Sequence, residues 1–313
     1  RVLNMDQGSK IGVTMKAEVD TIDYEHIRSS KDHVQKLGVK VSNTTAGSSS
    51  SGHVSDFYSG LEWSLALRDV LPRRHTTVPY QYDASQEIVA VSGPNLKHSI
   101  IADFRLNGIL TDSRFQPSSG IDSYGGVEVA GPPGDVGFAK IWGGLMLHLP
   151  VVPLLEETNA QRAGSFHRLL NGLSLHTAVH GGILKSLTFG GLCSTSTTNI
   201  SDRYHIGGSH QLRGFSHSGI GPRSVAGGSS APGGDSFGGD VFYTASQSIS
   251  MPFPGNELLS KNNVRVFGFV NAGTLTSFEN AMDLPGFLKS SRVSFGAGVS
   301  FGLPLGRVEA TYS

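Results

Sequence analysis

The sequence predicts an all-β chain, an antiparallel transmembrane β-barrel with one long loop inserted into its lumen. Three observations predict it. Apolar and polar residues alternate with period two along most of the 313 residues, as strands with one apolar and one wet face require. The polar faces are built from Gly, Ser, Thr and single charges, which a water-filled lumen tolerates. The apolar faces recur on nearly every strand with almost no amphipathic helix to cover them. An open sheet of about a dozen strands would have to curl or split into layers. A soluble sandwich uses the same alternation and stands as the alternative. No repeat of blade length favours a propeller.

The segments follow in chain order. In Lys10–Val19, Ile11, Val13, Met15, Ala17 and Val19 share one face, and Gly12, Thr14, Lys16 and Glu18 the other. Leu61, Trp63, Leu65 and Leu67 alternate with Glu62, Ser64, Ala66 and Arg68. Ile141, Leu145, Leu147 and Leu149 alternate with Lys140, Trp142, Met146 and His148. Val293, Phe295, Ala297, Val299 and Phe301 alternate with small polar residues, and Val308, Ala310 and Tyr312 alternate with Arg307, Glu309 and Thr311. Twelve strands are predicted, near 10–22, 34–43, 57–70, 86–92, 97–108, 121–130, 139–149, 171–183, 239–251, 263–271, 292–302 and 306–313. Breakers such as Gly93-Pro94, Gly131-Pro132-Pro133-Gly134 and Pro252-Phe253-Pro254-Gly255 separate them. Helical periodicity is confined to Leu154–Leu170 and Asn280–Lys289, each a short helix within a loop. Tyr58, Trp142 and Phe253 lie near strand ends, where interfacial aromatics or ordinary packing would each place them.

Composition excludes several classes. Glycine supplies 41 of 313 residues, about twice average usage, which argues against long helices. The formal charge is zero, 25 basic against 25 acidic residues, so the electrostatic footprint of a nucleic-acid binder is missing. A single cysteine, Cys193, excludes an intramolecular disulfide framework. No apolar run reaches the ~18 residues of a helical membrane span, which leaves a barrel open. Twelve histidines carry no metal-binding spacing: His176 and His180 fall about 13 Å apart on a strand. No GxSxG and no Walker A sequence occurs, and no Ser–His–carboxylate set assembles for a lipase or protease barrel. No enzyme activity, cofactor or metal is therefore expected. The chain starts at Arg1 without a leader pattern and reads as a piece of something longer.

Residues 184–238 form the longest stretch without alternation, and a loop of that length is usually functional. Polar low-complexity runs at Cys193–Ser201 and Val225–Gly234 flank a denser piece, in which Gly207-Gly208 and Gly214 bracket Arg213. This piece, Gly207-Gly208-x-x-x-Leu212-Arg213-Gly214-Phe215, resembles the loop signature of the outer-membrane β-barrel assembly (BamA-like) superfamily. The extension Ser216–Arg223 makes it most similar to the core barrel subunits of the mitochondrial sorting and assembly machinery, the SAM complex. Asp112-Ser113-Arg114 with Pro117 and Gly120, Gly238-Gly239-Asp240, Phe269-Val270-Asn271-Ala272-Gly273 and Ser294–Gly298 resemble further family signatures in the same order. The clear resemblance covers about residues 85–313.

The resemblance implies a barrel of about sixteen strands with this loop after the eleventh. The eight predicted strands before the loop and four after it then correspond to strands four to fifteen, without the POTRA domain, the first strands and the last one. It implies folding and insertion of β-barrel precursors into the mitochondrial outer membrane, with metaxin-like SAM accessory subunits and the lipid bilayer as partners. A translocation channel of the same superfamily, in chloroplast envelope or bacteria, is the alternative, and a passive porin a further one. The loop residues expected to matter are Gly207, Gly208, Leu212, Arg213, Gly214 and Phe215. The wall expected to receive them comprises Asp240, Phe269, Asn271 and Gly273, with Arg213 contacting Asp240 or Asn271, or else backbone or water. The glycines are expected to supply positive φ and close approach.

Overall fold

The computed structural model describes residues 2–5, 9–48, 54–78, 81–109, 117, 119–151, 172–193, 198–209, 211–224, 233–254, 264–303 and 306–313. They form one antiparallel sheet of twelve strands in sequence order. The strands are β1 (Val2–Met5), β2 (Ser9–Asp23), β3 (Ser30–Ser48), β4 (Val54–Pro72), β5 (Gly93–Ile109) and β6 (Gly120–Ala130). They continue as β7 (Phe138–Pro150), β8 (Ser174–Ser186), β9 (Val241–Pro252), β10 (Val264–Thr276), β11 (Arg292–Leu303) and β12 (Gly306–Tyr312). Among the described residues four short α-helices lie between them: α1 (Glu25–Arg28), α2 (Gln86–Ala90), α3 (Phe278–Ala281) and α4 (Leu284–Lys289).

Registers are long and uninterrupted. Ser9↔Thr45 runs to Asp23↔Lys31 between β2 and β3, and Arg265↔Pro252 to Thr276↔Val241 between β10 and β9. A strand needs about 9–11 residues to cross a bilayer. At 19 residues each, β3 and β4 are long enough to continue beyond it. No described helix is long and apolar enough to cross a membrane.

The faces sort as the alternation dictates. Val13, Met15, Val19, Leu61, Ile141, Val270 and Phe295 all point outward and are exposed. An apolar face left bare on so many strands fits lipid as its solvent. The opposite face carries Asp32, Arg68, Asp122, Glu128, Asn271 and Ser300, all buried. The loop itself supplies much of the apolar core on that inner face. Ile206, Leu212 and Ile220 from the loop pack with Leu275 of β10, and Ile200 packs with Ala84 and Ile88.

Four expectations change. Residues 86–92 are not a strand: Gln86–Ala90 is helix α2, starting after Ser85 and burying Ile88 against Ala84 and Ile200. Five residues are too few for alternation to exclude one helical turn. A strand at Val2–Met5 instead completes the eight before the loop. The stretch predicted at 34–43 extends to 19 residues, because Ser30–Ser48 pairs along its whole length with β4 and over Lys31–Thr45 with β2. Tyr58 and Trp142 face the inside rather than an outer aromatic belt: Tyr58 lies beside Lys40, and Trp142 covers Gly126. The helix expected near 280–289 is present as α3 and α4. The helix expected at 154–170, the Asp112–Arg114 signature and most of the 225–234 run lie outside the described residues.

Candidate functional site

The connection from β8 to β9 spans 187–240 and folds back across the inner face of the sheet. Among its attachments there, two involve charged residues that reach across the sheet, Asp202 and Arg213.

The first anchor is Asp202. Its carboxylate takes both arms of the Arg68 guanidinium, at 2.8 and 3.0 Å, and the Lys97 ammonium at 2.9 Å. Lys140 Nζ donates to the Asp202 carbonyl at 2.7 Å, and Lys97 also reaches Glu128 at 2.7 Å. Side chains from β4, β5 and β7 thus converge on one loop residue, and Glu128 of β6 steadies Lys97. Burial pushes the Asp202 carboxyl up, but Arg68 and Lys97 outweigh it and hold the pKa down to about 2. Next to it, Tyr204 stacks on Phe242 at 4.6 Å and donates to the Ile141 carbonyl at 2.9 Å. Burial pushes the Tyr204 hydroxyl up, with Glu128 adding to it. Burial and then the Arg28 cation push His205 down to about 4, so its ring is neutral at physiological pH.

The second anchor is the glycine-bracketed motif. Gly208 N–H donates to the Phe215 carbonyl and Leu212 N–H to the Gly208 carbonyl, both at 3.0 Å, which closes the motif on itself. Gly207, Gly208 and Gly214 adopt φ of 129, 90 and 88°, values that L side chains rarely accept. A Cβ at Gly214 would come within 2.8 Å of the Ser294 Cβ on β11, so that position also demands close approach. Leu212 is fully buried and meets the bare backbone of Gly273 on β10.

Arg213 departs from the expected pairing. Its Nη2 donates to Glu309 Oε2 on β12 at 2.9 Å, and its guanidinium lies 5.6 and 5.5 Å from the Phe267 and Phe269 ring centres. Arg307 holds the other carboxylate oxygen of Glu309, at 2.7 Å. Asn271 meets Arg213 through its backbone only: Nδ2 donates to the Arg213 carbonyl at 3.3 Å, and Ser294 Oγ donates to the same oxygen. Asp240 does not reach Arg213. It accepts from Thr198 Oγ1 at 2.6 Å and from Phe278 N–H at 3.1 Å, with Arg203 Nε at 3.8 Å. A direct Arg213 side-chain contact to Asp240 or Asn271 is therefore corrected to Glu309. The reason is reach across the sheet: β12 lies two strands beyond β10, and the arginine side chain extends over the two rings to it.

The two rings lie against β11 where it offers no side chains, at Gly296 and Gly298. Added Cβ atoms at Gly296 and Gly298 would strike the Phe269 and Phe267 rings at 2.7 and 2.8 Å. Of the predicted wall, Phe269, Asn271 and Gly273 meet the motif, and Asp240 serves the loop's other end. Sequence reasoning missed Asp202, its cations Arg68, Lys97 and Lys140, and Glu309. Glu309 left a usable trace, since it is the one acidic residue in the sequences of β10, β11 and β12. Asp202 left none, because its partners lie 134, 105 and 62 positions away.

Beyond the loop, His148 and His176 bring their Nδ1 atoms within 2.8 Å, and His176 Nε2 lies 2.9 Å from Ser250 Oγ. Arg265 also donates to that hydroxyl, at 3.2 Å, and Ser250 is buried. No group of three His, Cys, Asp or Glu positioned for a metal occurs among the described residues.

A family model described as the Omp85 superfamily domain matches residues 8–313. The chain belongs to the Omp85 superfamily. A SAM50-like protein of Schizosaccharomyces pombe is 27% identical over 238 residues, 74% of this chain and 42% of that protein. The Sorting assembly machinery 50 kDa subunit of Saccharomyces cerevisiae is 28% identical over 144 residues, 45% of this chain and 27% of that protein. The chain thus spans less than half the length of these two relatives. Among solved structures, BamA from Haemophilus ducreyi lacking POTRA domains 1-3 superposes with a TM-score of 0.63 at 18% identity. That superposition covers 97% of this chain and 55% of that one, and it places the Omp85 sheet described above in a BamA-like barrel fold.

Proposed function

We propose that this Omp85 chain is the barrel part of an insertase that folds and inserts β-barrel precursors into the mitochondrial outer membrane through a lateral seam. The observation that carries the reading is the motif Leu212–Phe215 seated on the inner wall of β10–β12, in a chain whose relatives are sorting and assembly proteins. The physics is that of strand edges. Each unpaired backbone group costs several kcal/mol in lipid, so a precursor strand cannot enter alone. A seam that opens offers it a row of donors and acceptors, and backbone pairing is indifferent to client sequence. The loop braces the wall from inside while the seam works. The proposed partners are β-barrel precursors, metaxin-like SAM accessory subunits and the bilayer. The motif residues Gly207, Gly208, Leu212, Arg213, Gly214 and Phe215 and the wall of Phe269, Asn271 and Gly273 hold the brace in register, and Asp240 ties its far end to β9.

The test combines two readouts on Arg213→Ala in the full-length protein, in membranes. Protease access to residues 202–223 reports loop release, and conversion of an imported precursor to its folded, heat-resistant form reports assembly. The expected result is a cut loop, slower assembly and an intact barrel. Normal assembly with the loop released would remove the loop from the mechanism. A protected loop with normal assembly would show that Arg213 is dispensable.

A further inference from the structure

We infer that the segment Phe278–Lys289, between β10 and β11, is an interfacial anchor that lies in the headgroup region of the bilayer. This rests on the transmembrane barrel fold and not on the insertase reading.

The connection folds to the outside of the sheet. By alternation Tyr243 of β9 and Thr274 of β10 face outward, opposite to Phe242 and Asn271. Phe287 of α4 sets its ring edge against Tyr243 at 5.5 Å between centroids. The Tyr243 hydroxyl bonds Ser291, and Thr274 Oγ1 bonds Ser290 at 2.8 Å. Lys185, near the outer end of β8, lies over the Phe278 ring of α3 at 5.3 Å. Every one of these contacts is made to an outward-facing side chain at the rim where the long loop leaves the sheet.

In that place the segment displays apolar side chains. Met282, Leu284 and Leu288 are 73, 65 and 60% exposed. Clustered apolar groups of this size mark a contact surface. The surface is continuous with the lipid-facing wall, because Val293 and Phe295 of β11 follow directly and are equally bare. Glu279, Asp283 and Lys289 are exposed beside the apolar residues. A mixed fringe with an aromatic pair at the rim is the chemistry of the headgroup–acyl boundary. The occupant is therefore phospholipid, with Met282, Leu284 and Leu288 dipping into the upper acyl region.

The experiment places an environment-sensitive fluorophore on Leu288→Cys, Met282→Cys or Glu279→Cys, each in a Cys193→Ser background of the full chain. The labelled protein is reconstituted in phosphatidylcholine vesicles brominated near the headgroup or near the acyl midpoint. Labels at 288 and 282 are expected to lose about half their emission to the shallow bromines and less to the deep ones, and the label at 279 to lose little. Equal, solvent-like emission at all three positions would overturn the inference and leave a protein partner as the occupant. Hydrogen exchange of 284–289 in the unsubstituted protein is the second reading. Protection that scales with lipid content supports the anchor, and lipid-independent exchange overturns it. Neither readout depends on client assembly, so the insertase reading can fail while this one stands.

Discussion

The two anchors of the loop differ in kind. At Asp202 a buried residue meets three cations from three strands, Arg68 and Lys97 on its carboxylate and Lys140 on its carbonyl. At Arg213 a part-exposed guanidinium meets one part-exposed carboxylate, which it shares with Arg307, above two aromatic rings. Removing one member of a buried ion cluster leaves uncompensated charge, whereas a part-exposed pair is screened. Asp202 therefore fixes the loop to the β4–β7 half, and Arg213 is the joint that can let go of the β10–β12 half. The part of the motif most visible in the sequence is the weaker of the two attachments. Its backbone makes up some of the difference, through the buried Leu212 and the two hydrogen bonds to the Arg213 carbonyl.

This contrast can be broken in order of expected effect. Asp202→Asn should cost about 3–5 kcal/mol in unfolding free energy, because Arg68 and Lys97 lose their shared counter-charge in a buried site. Denaturant unfolding followed by loss of the heat-resistant barrel measures it, and a cost near that of Arg213→Ala would erase the distinction.

Acid should weaken the same anchor by about 2–3 kcal/mol. The Asp202 pKa in the folded state, about 2, lies below its value in an unfolded chain, about 3.9. The stabilisation is thus complete above that unfolded value and disappears as pH falls through about 2. Protease sensitivity of residues 202–223 should rise over that window in the wild type and be flat in Asp202→Asn.

Arg213→Ala should cost only about 1–2 kcal/mol in stability, from one screened ion pair and its ring contacts. Combining it with Glu309→Gln in a double-mutant cycle should give a coupling of about 0.5–1 kcal/mol. No coupling would mean that the rings and the backbone, not Glu309, seat the arginine. Smallest of all, Asn271→Ala should cost about 0.5–1.5 kcal/mol, since it removes hydrogen bonds to Ser246 and to the Arg213 carbonyl while the motif stays in place. Loop protease access in this variant should stay close to wild type.

Much of the fold was legible because strand alternation is a local signal. Ile11 to Val19, Ile141 to Leu149 and Val293 to Phe301 each announce both a strand and its outward face within about ten residues. Where the window was short the reading failed: Gln86–Ala90 is one helical turn whose form is decided by Ile88 finding Ala84 and Ile200. At the candidate site, Gly207, Gly208, Leu212, Arg213, Gly214 and Phe215 stand out in the sequence through the motif's resemblance to a family signature, and the positive φ of its glycines and its closed turn are local features. Asp240 was placed against the wrong partner because adjacency to the loop says nothing about which strand faces it.

By itself, then, the sequence determined the all-β character, the inward and outward face of each long strand and the long loop, since each follows from the conformational limits of neighbouring residues, while the motif was legible only through its resemblance to a family signature. Only the tertiary structure decided that Arg213 reaches Glu309, that Asp202 gathers Arg68, Lys97 and Lys140, and that α3 and α4 turn outward. Those outcomes depend on sheet register and on how far a side chain spans neighbouring strands, and a charge 134 residues away leaves no local trace of its arrival.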